Sequence, residues 1–145
     1  MSRQIFCTAN AKDQAKIAFE MARKQLDALR AKYKEIREMT KRVRDELKNL
    51  DDESYVTYLS KETGAIDGFE PYVGVFDEYG ASKTNEMMEL IESGQGQLDN
   101  PLTLIISTAN FDLNVPMYQV EYPRMKQILE EEIEDEEQFA YIAEQ

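Results

Sequence analysis

Histidine is absent from the 145 residues and cysteine occurs once. Without imidazole there is no histidine general base, no Ser-His or Cys-His nucleophile pair and none of the usual zinc sites. Catalysis, if any, rests on carboxylates, hydroxyls, Lys, Arg or a metal held by oxygen, for which magnesium is the natural choice. The single Cys7 cannot form an internal disulfide, and inside an apolar run it reads as a small buried residue in a reducing, cytoplasmic setting. No apolar run approaches the length that spans a bilayer, and the amino terminus lacks the apolar centre of a secretory signal. Of the six glycines none is followed by lysine, so no G-x-x-x-x-G-K-[ST] loop offers backbone donors and a lysine to phosphate. Basic residues thin out after residue 50: residues 1–50 carry 13 Lys and Arg against 7 Asp and Glu, residues 51–145 carry 4 against 22. The net charge of -12 opposes nucleic acid overall, so any phosphate-backbone contact falls on the segment from Arg23 to Lys48, which otherwise reads as a solvated helix face.

What is present is enough for one domain with a core, at 42% hydrophobic residues. The most informative stretch is Val73-Gly74-Val75-Phe76-Asp77-Glu78. An apolar strand without alternation reads as the centre of a parallel sheet covered on both faces, and ligands of such sheets bind beyond the strand carboxyl ends. Asp77 and Glu78 fall there, where one carboxylate can hold a magnesium shell and the next can take a proton from water. The plainer alternative is a strand ending in a solvated acidic turn. A second strand of the same kind, Leu102 to Ile106, opens after Pro101 and closes on Ser107-Thr108-Ala109-Asn110, with a helical stretch between the two, as a βαβ unit requires.

The remaining elements follow from spacing. Gln4 to Ala9 reads as a strand, Asn10 as a helix cap, and Ala11 to about Lys34 as a helix packing Ala15, Ala18, Phe19, Ala22, Leu26, Leu29 and Tyr33 on the sheet. The three-and-four spacing continues through Ile36, Val43, Leu47 and Leu50, so the pattern also permits one long helix, even a coiled coil over Ala22–Leu50. Ser54 to Ser60 reads as a strand, Gly64-Ala65-Ile66-Asp67-Gly68 as a loop, and Ser82 as the cap of a helix from about Lys83 to Glu92. A helix from about Met117 to Glu132 is kinked or delayed by Pro123; residues 130–145 form an acidic segment in which Phe139 and Tyr141 to Ala143 hint at a last strand.

Taken together, Thr8-Ala9-Asn10, Asp13 to Glu20, Leu59-Ser60, Ile66-Asp67-Gly68, Val75-Phe76-Asp77-Glu78-Tyr79, Ser93-Gly94, Asn100-Pro101, Ile106-Ser107-Thr108-Ala109, Phe111-Asp112-Leu113 and Tyr118 to Glu130 resemble, in order and spacing, the ATPase part of a tailed-phage terminase large subunit, the motor that drives DNA into a capsid. The resemblance implies an α/β fold over 1–145: an incomplete P-loop NTPase sheet of the RecA-like kind, mostly parallel and flanked by helices, lacking the Walker A strand and helix. It implies that Asp77, in the Walker B element, holds magnesium through water, that Glu78 activates the attacking water, and that Ser107, Thr108 and Ala109 form the coupling motif beside the γ-phosphate. An arginine from a neighbouring subunit completes such motors, with Arg37, Arg42 and Arg44 the local candidates, and the resemblance places residues of about 36–50 in an irregular or β insert rather than in the long helix.

The complete protein of this family carries magnesium, ATP and a carboxy-terminal endonuclease domain. It works in the host cytoplasm with other copies of itself, the small terminase subunit, the portal and DNA, and without a membrane. This chain, with no glycine-lysine loop and no nuclease segment, is expected to bind neither cofactor and to hydrolyse no ATP alone. Because the strand of the phosphate loop lies beside the coupling-motif strand in such domains, Leu102 to Ile106 is expected to be an apolar edge through which the isolated chain self-associates.

Overall fold

The structure is a computed structural model that describes residues 2–59 and 69–143. Ser60 and the Gly64–Gly68 loop lie outside the described residues. Six strands, β1 (Gln4–Thr8), β2 (Thr40–Arg42), β3 (Leu47–Asn49), β4 (Tyr55–Leu59), β5 (Pro71–Asp77) and β6 (Leu102–Ile106), form one sheet in the order β2-β3-β4-β1-β5-β6. The strands β4, β1, β5 and β6 run parallel, and β2 and β3 add an antiparallel hairpin at one edge. Among the described residues four α-helices accompany them: α1 (Lys12–Lys32), α2 (Lys34–Met39), α3 (Glu86–Gln95) and α4 (Tyr122–Leu129).

The main core lies on the α3 side, where Phe6, Leu59, Phe76, Tyr79, Met88, Ile91, Val115 and Met117 pack together. Phe6 and Ile91 are fully buried, worth about 1.5–3 kcal/mol each by area removed from water. Gly74 is required here, since a Cβ at that position would stand 2.7 Å from Cγ2 of Ile91. On the opposite face α1 lays Ala15 and Phe19 on the sheet, the Phe19 ring 5.2 Å from that of Tyr58.

The expectation that β5 and β6 are covered on both faces fails at β6. Ile105 packs against the core, but Leu102, Leu104 and Ile106 on the other face are 48%, 44% and 55% exposed, because α1 covers β4, β1 and part of β5 and stops short of the edge.

The long helix is also broken. Tyr33 is extended (φ -117°, ψ 123°) and separates α1 from the six-residue α2, after which the chain turns into β2 and β3. Two guanidiniums replace the helical continuation: Arg37 donates to the carbonyl of Arg30 at 2.8 Å, and Arg30 donates to the Thr40 carbonyl and to Thr40 Oγ1. They satisfy carbonyls that a helix end leaves free. Leu47, a member of the supposed seam, is instead buried in the sheet, while Val43 and Leu50 are exposed, which removes the Ala22–Leu50 coiled coil.

Several boundaries shift for local reasons. Neither Asn10 nor Ser82 caps a helix: α1 starts after Ala11, and Ser82 closes a one-turn 3-10 helix (Tyr79–Ala81) by donating its N–H to the Tyr79 carbonyl. The last helix opens as a π turn (Met117–Glu121) and becomes α-helical at Tyr122, so Pro123, which has no N–H to donate, falls where the hydrogen-bond pattern changes. Phe139, Tyr141 and Ile142 form no strand; the first two are almost fully exposed.

Candidate functional site

Asp77 and Glu78 leave β5 at the carboxyl rim, and Ser107, Thr108 and Ala109 leave the adjacent parallel β6 at the same rim, with Asp77 in register with Ile106. The backbone turns sharply there. Glu78 is left-handed (φ 52°, ψ 46°), and its carbonyl accepts the N–H of Ala81 at 2.9 Å to start the 3-10 turn. A non-glycine residue in this region costs about 1–2 kcal/mol, so the surroundings must hold it.

Side chains of the β6 rim do so. Thr108 Oγ1 donates to Glu78 Oε2 at 2.9 Å. The N–H of Gly80 donates to Ser107 Oγ at 2.9 Å, and the amide of Asn110 donates to the Gly80 carbonyl at 3.0 Å. A Cβ on Gly80 would stand 2.6 Å from Ser107 Oγ and would push that hydroxyl off its bond to the Gly80 N–H. The hydroxyl of Tyr118 then donates to the Thr108 carbonyl and accepts the N–H of Asn110, both at 2.8 Å. Gly80, Asn110 and Tyr118 therefore lock the two strand ends together, a role that their sequence positions did not signal.

Beneath the rim, Thr8 at the end of β1 is buried and donates to the Val75 carbonyl at 3.1 Å. The buried Cys7 thiol is pushed up from its ordinary pKa, first by desolvation and then by the charge of Asp77, which keeps it protonated and unsuited to metal ligation. Tyr79 is pushed up to about 12 by burial and by Glu121, Glu92 and Glu89, and its hydroxyl has no partner among the described residues.

The donor set at the rim is oxygen only: one free carboxylate, one hydroxyl-bonded carboxylate and two hydroxyls. Among the described residues no group of three His, Cys, Asp or Glu could cage a metal.

The three arginines lie elsewhere. Arg37 is bound to helix carbonyls, Arg42 pairs with Asp27 at 2.5 Å, and Arg44 is exposed between β2 and β3 with no ion pair among the described residues. All three belong to the hairpin edge, with β4 and β1 between them and β5.

The model of the terminase large subunit ATPase domain matches residues 1–127. The chain belongs to that family. The crystal structure of the HK97 bacteriophage large terminase superposes with a TM-score of 0.71 at 21% identity, covering 91% of this chain and 27% of that one. A search of curated proteins finds no match. The fold is thus a P-loop-NTPase-like terminase sheet, of which this chain represents a part, and it spans about a quarter of the length of the large terminase it matches. Within the terminase frame the clamp joins the carboxyl ends of β5 and β6, where ligands of open α/β sheets gather.

Proposed function

We propose that this chain supplies the Walker B and coupling elements of the ATP-driven motor that moves viral DNA into a capsid in the host cytoplasm. The observation that carries the reading is the bond from Thr108 to Glu78 across neighbouring strand ends. Asp77 would hold the water shell of magnesium, which when bound neutralises charge developing on the phosphate oxygens. Glu78 accepts a proton from the attacking water, and Thr108 sets which way that carboxylate points. A hydroxyl can donate to only one acceptor at a time, so turning the Thr108 O–H from Glu78 to a phosphate oxygen would release the carboxylate and mark nucleotide occupancy. Ser107, bonded to Gly80, ties that change to the turn after β5.

No glycine is followed by lysine, so ATP turnover requires a phosphate loop from outside this sequence. An endonuclease domain, further copies of the large subunit, the small subunit, the portal and DNA would belong to the complete motor. Of the three arginines Arg44 is the one with no ion pair or carbonyl bond among the described residues, and it would be the one to reach a neighbouring subunit's nucleotide. Among the described residues the outer edge of β6 is unpaired, and the strand is uncharged; it would be a place for an added strand, and pairing of isolated chains through it would be removed by Leu104→Lys.

The test is ATP turnover by the chain joined to the phosphate-loop strand and helix of a relative. Glu78→Gln is expected to lower turnover by roughly 10²–10⁴-fold, and Asp77→Asn to raise the magnesium requirement. Turnover unchanged in Glu78→Gln, or measurable turnover by the unjoined chain, overturns the reading.

A further inference from the structure

Thr108 is gripped from two sides. Its hydroxyl donates to Glu78 Oε2 at 2.9 Å, and its carbonyl accepts the hydroxyl of Tyr118 at 2.8 Å. The same Tyr118 oxygen accepts the N–H of Asn110 at 2.8 Å, so one phenol fixes both peptide groups that follow Thr108; Ser107 Oγ adds a longer bond to the Thr108 carbonyl at 3.3 Å. A β-branched side chain is stiff about its first torsion once its backbone is set. Fixing the Thr108 backbone therefore fixes where its hydroxyl points.

Tyr118 reaches the rim from a turn of unusual width. In Met117–Glu121 the N–H of Tyr122 bonds five residues back, to the Met117 carbonyl, instead of four. Were the helix α throughout, the ring of Pro123 would press on the carbonyl of Gln119, four residues earlier, and no N–H at 123 would satisfy that carbonyl. A single π turn ahead of the proline relieves the conflict, and turns of this kind are frequent at functional sites. It also sets the direction of Tyr118. A π turn spreads its residues over a wider ring than an α turn, so rewinding Met117–Glu121 to α would rotate the phenol about the helix axis and away from Thr108.

We propose that Tyr118 is a positioning residue for the Glu78 carboxylate, aimed at Thr108 by the π turn that Pro123 imposes. The inference rests on the role given to Glu78 above and adds a line of cause that begins in the last helix. The proline sets the turn, the turn sets the phenol, the phenol holds the Thr108 backbone, and Thr108 Oγ1 holds the carboxylate. Tyr118 acts on the reaction only through Thr108, so its hydroxyl matters to the direction of the carboxylate and not to the binding of nucleotide.

Two readouts test this, the first without nucleotide. NMR couplings from backbone carbon and nitrogen to Thr108 Cγ2, measured on the isotope-labelled chain, report whether that side chain holds one rotamer. One rotamer is expected in the parent and in Val120→Ala, a control at an exposed position of the same turn, and averaged couplings in Tyr118→Phe and Pro123→Ala. Thermal melts establish that all are folded. A single rotamer retained in either Tyr118→Phe or Pro123→Ala overturns the proposal. The second readout is ATP turnover by the chain joined to a relative's phosphate-loop strand and helix. Tyr118→Phe is expected to lower kcat roughly 10–100-fold with KM little changed. In a Glu78→Gln background it is expected to cost nothing further, which a general loss of packing would not spare. Turnover impaired by Glu78→Gln but not by Tyr118→Phe overturns this inference and leaves the role of Glu78 standing. Turnover indifferent to Glu78→Gln removes that role, and Tyr118 with it.

Discussion

Thr108 Oγ1 donates to Glu78 Oε2 at 2.9 Å, joining residues thirty positions apart through the carboxyl ends of two adjacent parallel strands. The bond is exposed, and a net contribution of about 0.5–1.5 kcal/mol is the ordinary range for such a contact. Thr108→Val is therefore expected to lower the melting temperature by only a few degrees. In a completed motor domain the same variant is expected to uncouple the carboxylate from nucleotide state, lowering turnover more than the fold. Parallel melting and turnover curves check this; a loss of activity no larger than the loss of folded protein would refute it.

Glu78 occupies a conformation that favours glycine. Glu78→Gly relieves the left-handed backbone and Glu78→Ala keeps it, while both delete the carboxylate and its bond from Thr108. The glycine variant is expected to be the more stable of the two by about 1 kcal/mol, measured by urea unfolding. Equal stabilities would mean that the turn carries no strain. A carboxylate kept at a costly backbone position is a departure that functional sites tolerate.

Gly80 is expected to be intolerant for a different reason. Its backbone is not in question; the added Cβ of Gly80→Ala would meet Ser107 Oγ at 2.6 Å. Overpacking of this kind costs about 1–3 kcal/mol. Ser107→Ala removes the obstructing atom, together with the acceptor for the Gly80 N–H. The two substitutions should therefore couple: the double variant is expected to be less destabilised than the sum of the singles by roughly 0.5–3 kcal/mol. Additive losses would show that the two strand ends are not locked at this contact.

The parts of this fold legible in the sequence are those that one-dimensional pattern encodes. The apolar runs of β5 and β6, each closed by short polar residues, disclosed two parallel strands and the rim where their ends meet. The hairpin at Thr40–Asn49 was hidden because Ile36, Val43, Leu47 and Leu50 keep helical spacing, and strands of three residues are too short to show alternation. The break at Tyr33 depends on Arg30 and Arg37 exchanging carbonyls across it, a contact of side chains seven residues apart that propensity does not contain. The clamp of Gly80, Asn110 and Tyr118 was illegible for a related reason: it exists only once the register of β5 against β6 is set.

Acid and base should act on this chain through the contact of the last helix with α3. Glu121, in the π turn, has its carboxyl pKa raised first by burial and then by Glu92 on α3, with Arg124 opposing. The folded state thus holds this proton more tightly than the unfolded chain, so stability falls as pH rises from the ordinary carboxylate range through the raised value. Glu121→Gln, which mimics the protonated form, is expected to melt higher than the parent at pH 7 and to lose that advantage by about pH 4, where the parent is itself protonated. Melting curves of both proteins across that interval measure the difference. A variant less stable than the parent at neutral pH would mean that the ionised Glu121 is held by Arg124 more strongly than burial and Glu92 oppose it.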